Sequence, residues 1–592
     1  MALTGWIHHT RDLRNERATV NAMAAGLNPA VLRRDVVRLS RRAAFAHRGI
    51  TGGYADWRHP EHPDPDLVVA IDGQLTNRGD LEEQLYQCAR PLSSDADVLL
   101  HAYRAWGAGL VDRIDGTYAI TIWDNQARRL LLIRDPLGAK TLFYTVVDGG
   151  LIFATRAAAM LAHRDVKPVV DADGLNELLA LGRVRTPGHG VLRGVSEVMP
   201  GELVQIAPAG LSRRRYWCLE ADDHGHDADT AAQVVRRALT EASSAPGTRP
   251  AGAVLLSGGV ASATAAVFAA GNRGHRPRAW TLTLTGPDTV SLGVGADVDG
   301  AARTAELLGM RHTVVTVGAD TLIDTAAAAR TARDFPGESG TDATLLAVLH
   351  RIAVAGSTSV VTGDGAEAVF GAYPWLHDPL TLTTDDFPWH GAAIPAGLLN
   401  ADARRHLMPG VYRRQRFDEA TLGVPHLPGT DTLARRRRTM AYLTLTRYLP
   451  HLLTRLDELA EEAGITVRTP FADWLLAYYL FNMPHAVRHL RGSPNGLLRH
   501  AVAGLLPAET TGVPSRTFPT ADLLTAWQRT RSARLHEILS DPDAPLRPLL
   551  DRRRLTDLLT QPPTRLPDHV PATVAYLVEV NAWLDRHHVS LT

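Results

Sequence analysis

The stretch between residues 252 and 371 constrains this chain more than any other. AVLLSGG (253–259) reads as a short buried strand ending in glycines, and ASATAAVFAAG (261–271) continues as a helix. RAWTLTLTG (278–286) reads as a second strand, DVDGAARTAELLG (297–309) as a helix and HTVVTVG (312–318) as a third strand. Helices follow over 321–333 and 342–355, and STSVVTGDGAEAVFG (357–371) reads as a further strand. Strands alternating with helices predict a parallel, doubly wound sheet with ligands at the carboxyl ends of its strands. From about residue 395 the pattern is mostly helical.

Two turns in this stretch suit phosphate. LLSGGVAS (255–262) ends a strand, offers two glycines for close backbone approach and starts a helix at once. Backbone N–H groups and a helix N-terminus then face whatever sits above them. TGDGAEAVFG (362–371) repeats the device after another strand and adds the acids Asp364 and Glu367. One turn to cradle phosphate and one to supply carboxylates for a magnesium ion is nucleotide chemistry.

The first part of the chain reads differently. Short apolar runs recur at 66–72, 118–124, 129–135, 150–155 and 201–207, punctuated by glycine and Asp-Gly turns, which predicts a β-rich domain. Helices are expected at 79–88 and 95–106, the second capped by Ser94. The polar, acidic segment 219–230 reads as a linker, giving domains at 1–218 and 231–592. With 592 residues, more than one core is expected. Lys plus Arg equals Asp plus Glu at 63 each, so no global field favours nucleic acid or a membrane surface. Arg435–Arg438 is the one dense basic run and reads as a solvated helix face. Cys88 and Cys218 make neither a metal-type spacing nor a disulfide framework. The N-terminus lacks a signal-peptide core and no apolar run is long enough to span a bilayer, so the cytoplasm is the expected compartment.

The motifs resemble those of the glutamine-dependent asparagine synthetases and their relatives, the β-lactam synthetases and lasso-peptide macrolactam cyclases. LLSGGVAS resembles the family's pyrophosphate (PP) loop SGGxDS, and TGDGAEAVFGAY (362–373) its SGEGADELFGGY. VRTPFADWLLAYYLFNMP (467–484), GLLRHAVAGLLP (496–507), SSDADVLLHAYRAWG (93–107) and IRDPLGAKTLFY (133–144) match further motifs in the right order. The resemblance implies an α/β protein. Its N-terminal part would be a glutamine-amidotransferase-like, Ntn-type αββα sandwich. Its C-terminal part would be a doubly wound parallel-sheet PP-loop synthetase domain with a helical end. It implies ATP and Mg2+, adenylation of a carboxylate, and displacement of AMP by an amine. The nucleotide positions it implies are Leu256, Ser257, Gly258, Gly259, Ser262, Leu282, Thr362, Gly363, Asp364 and Gly365. Asp364 and Glu367 are the implied metal ligands, and Glu367, Asp457 and Arg516 the implied catalytic side chains.

The chain also departs from the family pattern. Class II glutaminases use an N-terminal Cys as nucleophile, whereas this chain begins Met1-Ala2-Leu3-Thr4. The glutamine-holding NGEIYN becomes DGQLTN, with Asp72, Gly73, Gln74 and Asn77, while Arg48 and Asp95 persist. The PP-loop aspartate is Ala261, the second acid of the GADE pair is Ala368, and the glutamate of VEVRVPF is Thr466. The lysine of the family's tail motif is Ser515, with Arg516 one place on.

Two functions are therefore expected. The first is an ATP-dependent amide ligase without glutaminase, of the lasso-type cyclase or natural-product tailoring kind. It would act on a carboxylate-bearing small molecule or a precursor peptide, with protease or leader-binding partner proteins and a homodimeric assembly implied by the relatives. The second is a pseudoenzyme that keeps the fold as a scaffold for an active paralogue or a peptide. Engineering of Ala261 alone does not account for the other losses.

Overall fold

The computed structural model describes residues 2–27, 36–49, 53–57, 64–85, 92–223, 225–244, 251–271, 276–285, 297–389, 393–507, 510, 525–561 and 569–592. They form two compact units. The first takes in the described residues of Met1–Pro168, Pro187–Cys218 and Ser244–Arg249, and the second those of Val169–Thr186, Leu219–Ser243 and Pro250–Thr592.

Two six-stranded sheets build the first unit. In one, Ala2–His8 lies antiparallel between Ala43–Arg48 and Gly150–Ala154. In the other, Leu67–Leu75, Gly116–Asp124 and Arg129–Arg134 run side by side, also antiparallel. Side-chain alternation decides what each face covers. Val68, Ala70, Ala119, Trp123, Leu130 and Leu132 pack against Leu3, Ile7 and Phe45 of the facing sheet. The intervening Leu67, Val69, Ile71, Ile120, Ile122, Leu131 and Ile133 pack under the helix Asp95–Trp106. Strands buried on both faces read as continuous apolar runs, which is why they were legible. Ser94 caps that helix by accepting from the Asp97 N–H at 3.2 Å. The helices Arg17–Ala25 and Ala157–Leu161 cover the other sheet, completing the αββα layering.

The second unit is built on a five-stranded parallel sheet: β1 (Ala253–Leu255), β2 (Arg278–Leu284), β3 (His312–Val317), β4 (Ser359–Val361) and β5 (Thr466–Arg468). Their spatial order is β3-β2-β1-β4-β5. Chain order reverses between β1 and β4, which pair in register as Ala253 with Val360 and Val254 with Val361. The region from residue 339 onward contributes most of the helices around the sheet.

Two expectations change. The strand expected over 357–371 is only Ser359–Val361; Gly365 adopts φ +89° and a helix spans Ala366–Val369. Glycines that permit a left-handed turn end a strand there. The tract after 395 also holds β5, whose half-buried Thr466–Arg468 are too few to show a period.

Residues 219–227, from the segment read as a linker, precede the helix Ala228–Ser244. Asn482 Oδ1 accepts from the Asp222 N–H at 2.9 Å, and His226 Nδ1 meets the Tyr479 hydroxyl at 2.9 Å. Among the described residues no helix is long and apolar enough to cross a membrane.

Candidate active site

The reversal between β1 and β4 is where an open parallel sheet leaves a crevice. Beyond β1, the Leu256 N–H donates to the Trp280 carbonyl at 2.8 Å and fixes the chain to the sheet. Gly258 then turns with φ +82°, and a Cβ on it would stand 2.4 Å from the Asp297 carbonyl oxygen. The helix Val260–Gly271 starts directly after Gly259. Ser262 organises the turn: its Oγ donates to the Gly259 carbonyl at 3.0 Å and accepts from the Ser257 N–H at 3.1 Å.

Beyond β4, the Thr362 N–H donates to the Arg468 carbonyl of β5 at 3.0 Å. Gly363 then lies against the first turn. A Cβ there would stand 2.6 Å from the Ser262 nitrogen and 2.7 Å from the Ala261 carbonyl carbon. The two glycine turns thus touch and share one cavity of about 920 Å³. Ser257, Ala261, Ser262, Thr362, Gly363, Asp364 and Glu367 line it.

The structure does not bring every expected residue to that cavity. Leu282 is 2% exposed and packs in the core around the sheet. Leu256, Gly258, Gly259 and Gly365 belong to the two turns but do not line the cavity. Asp457 does not line it either. Tyr448, Leu452, Arg455 and Leu456 do, as one stripe of the Leu449–Glu462 helix and its preceding turn. Asp457 is rotated about 100° past Leu456, off that stripe. Arg516 and Ser515 lie outside the described residues, as does Cys88.

Several cavity residues escaped the sequence reading. Arg455 is the main one. Its Nε donates to Asp342 Oδ1, while its Nη2 is buried with no hydrogen-bond partner. Burial works against its charge, but Asp342, Glu338 and Asp364 hold its pKa up. A charged residue within Leu449, Leu452, Leu453, Leu456 and Leu459 was the available signal. Glu338 lines the cavity and pairs with Arg183 at 3.0 Å. Tyr373 stacks on Trp375 at 4.2 Å and meets Tyr448 edge-on at 5.2 Å. Burial, then Tyr448, Glu367 and Asp364, push the Tyr373 phenol well above its usual range, so it stays a donor. Burial likewise raises Asp364, against the opposing hydrogen bond from Thr362 and the charge of Arg455.

These residues fit phosphate and magnesium. The unpartnered Arg455 nitrogen and the N-terminus of a twelve-residue helix offer donors for phosphate oxygens. Asp364 and Glu367 line the same cavity, and magnesium is commonly held by one or two carboxylates together with substrate phosphates.

Comparison with known proteins bears on this geometry. The asparagine synthase family model matches residues 234–585, and the glutamine amidotransferase domain model matches 57–217. Asparagine synthetase [glutamine-hydrolyzing] 3 of Bacillus subtilis is 28% identical, over 100% of this chain and 99% of its own length. A putative asparagine synthetase [glutamine-hydrolyzing] of Mycobacterium tuberculosis is 26% identical, over 78% of this chain and 76% of its own. Amidase chyE of Penicillium rubens is 23% identical, over 72% of each. A family match over the larger part of the chain, on the unit where both glycine turns meet, establishes that this chain belongs to the asparagine synthase family.

Proposed function

We propose that the chain is an ATP-dependent amide ligase that does not feed itself ammonia from glutamine. The carrying observation is the contact of Gly363 with Ala261 and Ser262, which joins both turns in one cavity beside Arg455. In this reading a substrate carboxylate oxygen attacks the α-phosphorus of ATP and pyrophosphate leaves. An amine nitrogen then attacks the acyl carbon, AMP leaves, and the amine gives up a proton. The N-terminus of the helix Val260–Gly271 and Arg455 Nη2 hold phosphate oxygens in place before reaction. Magnesium, when bound by Asp364 and Glu367, would neutralise phosphate charge.

Loss of glutaminase is supported by one buried position of the first unit. Asp72 replaces the family's Asn, and it is 4% exposed and ion-paired with Lys140 at 2.9 Å. A carboxylate accepts only, so the amide donor of the motif is gone. An intramolecular or peptide amine as nucleophile fits this loss, as in a lasso-type macrolactam cyclase or another natural-product tailoring ligase. A cytoplasmic enzyme working with precursor-peptide partners as a homodimer completes that reading.

Ala261 and Ala368 favour a second reading, a nucleotide-binding pseudoenzyme that scaffolds a partner. Incubation with Mg–ATP and candidate carboxylates separates the two. AMP and pyrophosphate release supports the ligase, whereas ATP binding without turnover, relieved by A261D, supports the pseudoenzyme. Glutamine hydrolysis by the purified chain would contradict the loss of glutaminase.

A further inference from the structure

The basic side chains around Gly371 carry a charge imbalance that the phosphate turns do not explain. Arg488 ends the helical turn His485–Arg488 and is 6% exposed. Its Nε has no hydrogen-bond partner, and among the described residues no carboxylate pairs with it. Burial, then the neighbouring charge of Arg438, pulls its pKa down to about 10. A guanidinium removed from water with no counter-charge is unfavourable unless an anion meets it.

Three imidazoles gather beside it. The rings of His377 and His489 lie 4.4 Å apart and those of His485 and His489 4.2 Å apart. The Gly371 carbonyl accepts from Nε2 of both His377 and His489 at 2.9 Å. A Cβ on Gly371 would stand 3.3 Å from Arg488 Nη1, so the backbone itself approaches the guanidinium. His485 Nε2 and Arg437 Nε are two further buried nitrogens with no partner, and Arg437 and Arg488 both bear electrostatically on His377 and His485. His377 lines the same cavity as the phosphate turns.

Ring nitrogens of the three histidines lie within 4.8 Å of one another, which is also transition-metal geometry. The charges argue against a cation. Arg437 and Arg488 would repel a divalent ion where water does not screen them. Nε2 of two rings is already committed to Gly371.

We propose that Arg488, Arg437 and His485, with His377 at the cavity wall, form an oxyanion subsite that takes a carboxylate or phosphate group. A substrate reaching it from the cavity would carry an acidic group besides the carboxylate being activated. Assigning the anion to that substrate rests on the ligase reading; the existence of the subsite does not.

Calorimetric titration of the full chain, without ATP, tests this with two probes, inorganic phosphate and succinate. One saturable succinate site is expected, and for phosphate the same site besides any bound at the phosphate turns. It should persist in G363A, which disturbs the phosphate turns, and weaken about tenfold or more in R488M. R437M should weaken it as well, which covers the case of an R488M chain that does not fold. Tighter succinate assigns the subsite to a substrate carboxylate, and tighter phosphate to a phosphate group. The proposal is overturned if neither probe saturates, if both Arg variants bind as the wild type does, or if binding disappears in G363A. Stoichiometric Zn2+ binding lost in H485Q, with no anion response, would make it a metal site instead. Because the measurement omits ATP, a chain that binds anions but never turns over ATP fails the ligase reading alone.

Discussion

A single hydrogen separates Gly363 from a side chain that the pocket cannot hold. In G363A the new methyl meets backbone rather than a mobile side chain, so the turns must part. Overpacking of that kind costs about 1–3 kcal/mol. Denaturant unfolding should register the loss, and ATP binding should weaken with it. Arg455 is held at the opposite extreme, by charge. In R455M, buried Asp342 loses its hydrogen-bonded guanidinium and keeps the Glu338 N–H at 2.8 Å and Arg333 at 3.8 Å. Breaking a buried pair from one side costs about 3–5 kcal/mol, so melting temperature and nucleotide affinity should fall together. Asp364 behaves in the reverse sense. Its folded pKa lies above the unfolded value, so the stability linked to its neutral form is full below the unfolded pKa. That stability is lost as pH rises through the folded pKa. D364N, which stays neutral, should therefore melt higher than the wild type near pH 7 and converge with it near about pH 4. Equal melting curves across that range would remove the argument. The residue types of both glycine turns were legible because they follow each other in sequence. Arg455, Glu338 and Tyr373 were not, since they come from distant segments and reach the cavity only through packing.

Elements carry the rest of the geometry. A strand of three buried residues, two glycines and a helix give the first turn its direction, and the same arrangement after β4 gives the second. These units were readable locally, whereas the end of β4 was not. Residues 362–370 mix Thr362, Asp364 and Glu367 with Ala366, Ala368, Val369 and Phe370, and the left-handed Gly365 marks the change to helix. β5 was missed because it pairs with β4 across roughly a hundred residues of sequence and shows no local period. In the first unit, Lys140 and Asp72 bind the strand Leu67–Leu75 to the loop after Arg129–Arg134. K140M removes the cation paired with the buried Asp72 carboxylate, and should cost about 3–5 kcal/mol of that unit's stability. Adding D72N should restore most of it. A double variant as unstable as K140M would show that the pair contributes through packing rather than charge.

At the scale of the molecule, the order β3-β2-β1-β4-β5 is what turns two local motifs into one site. Any order that separated β1 from β4 would leave the same glycine turns facing different solvent. Strand order is non-local and could be expected only through the family resemblance, which also supplied the sandwich of the first unit. The resemblance foresaw the phosphate turns but not the basic cluster at Arg488, for which no family motif was in view. The most direct measurement is equilibrium binding of Mg–ATP to the full chain and to G363A side by side. One nucleotide per wild-type chain, with a Kd below about 1 mM, and at least tenfold weaker binding to a folded G363A is the predicted result. No binding by the wild type, or equal affinity in both, would contradict a shared phosphate pocket.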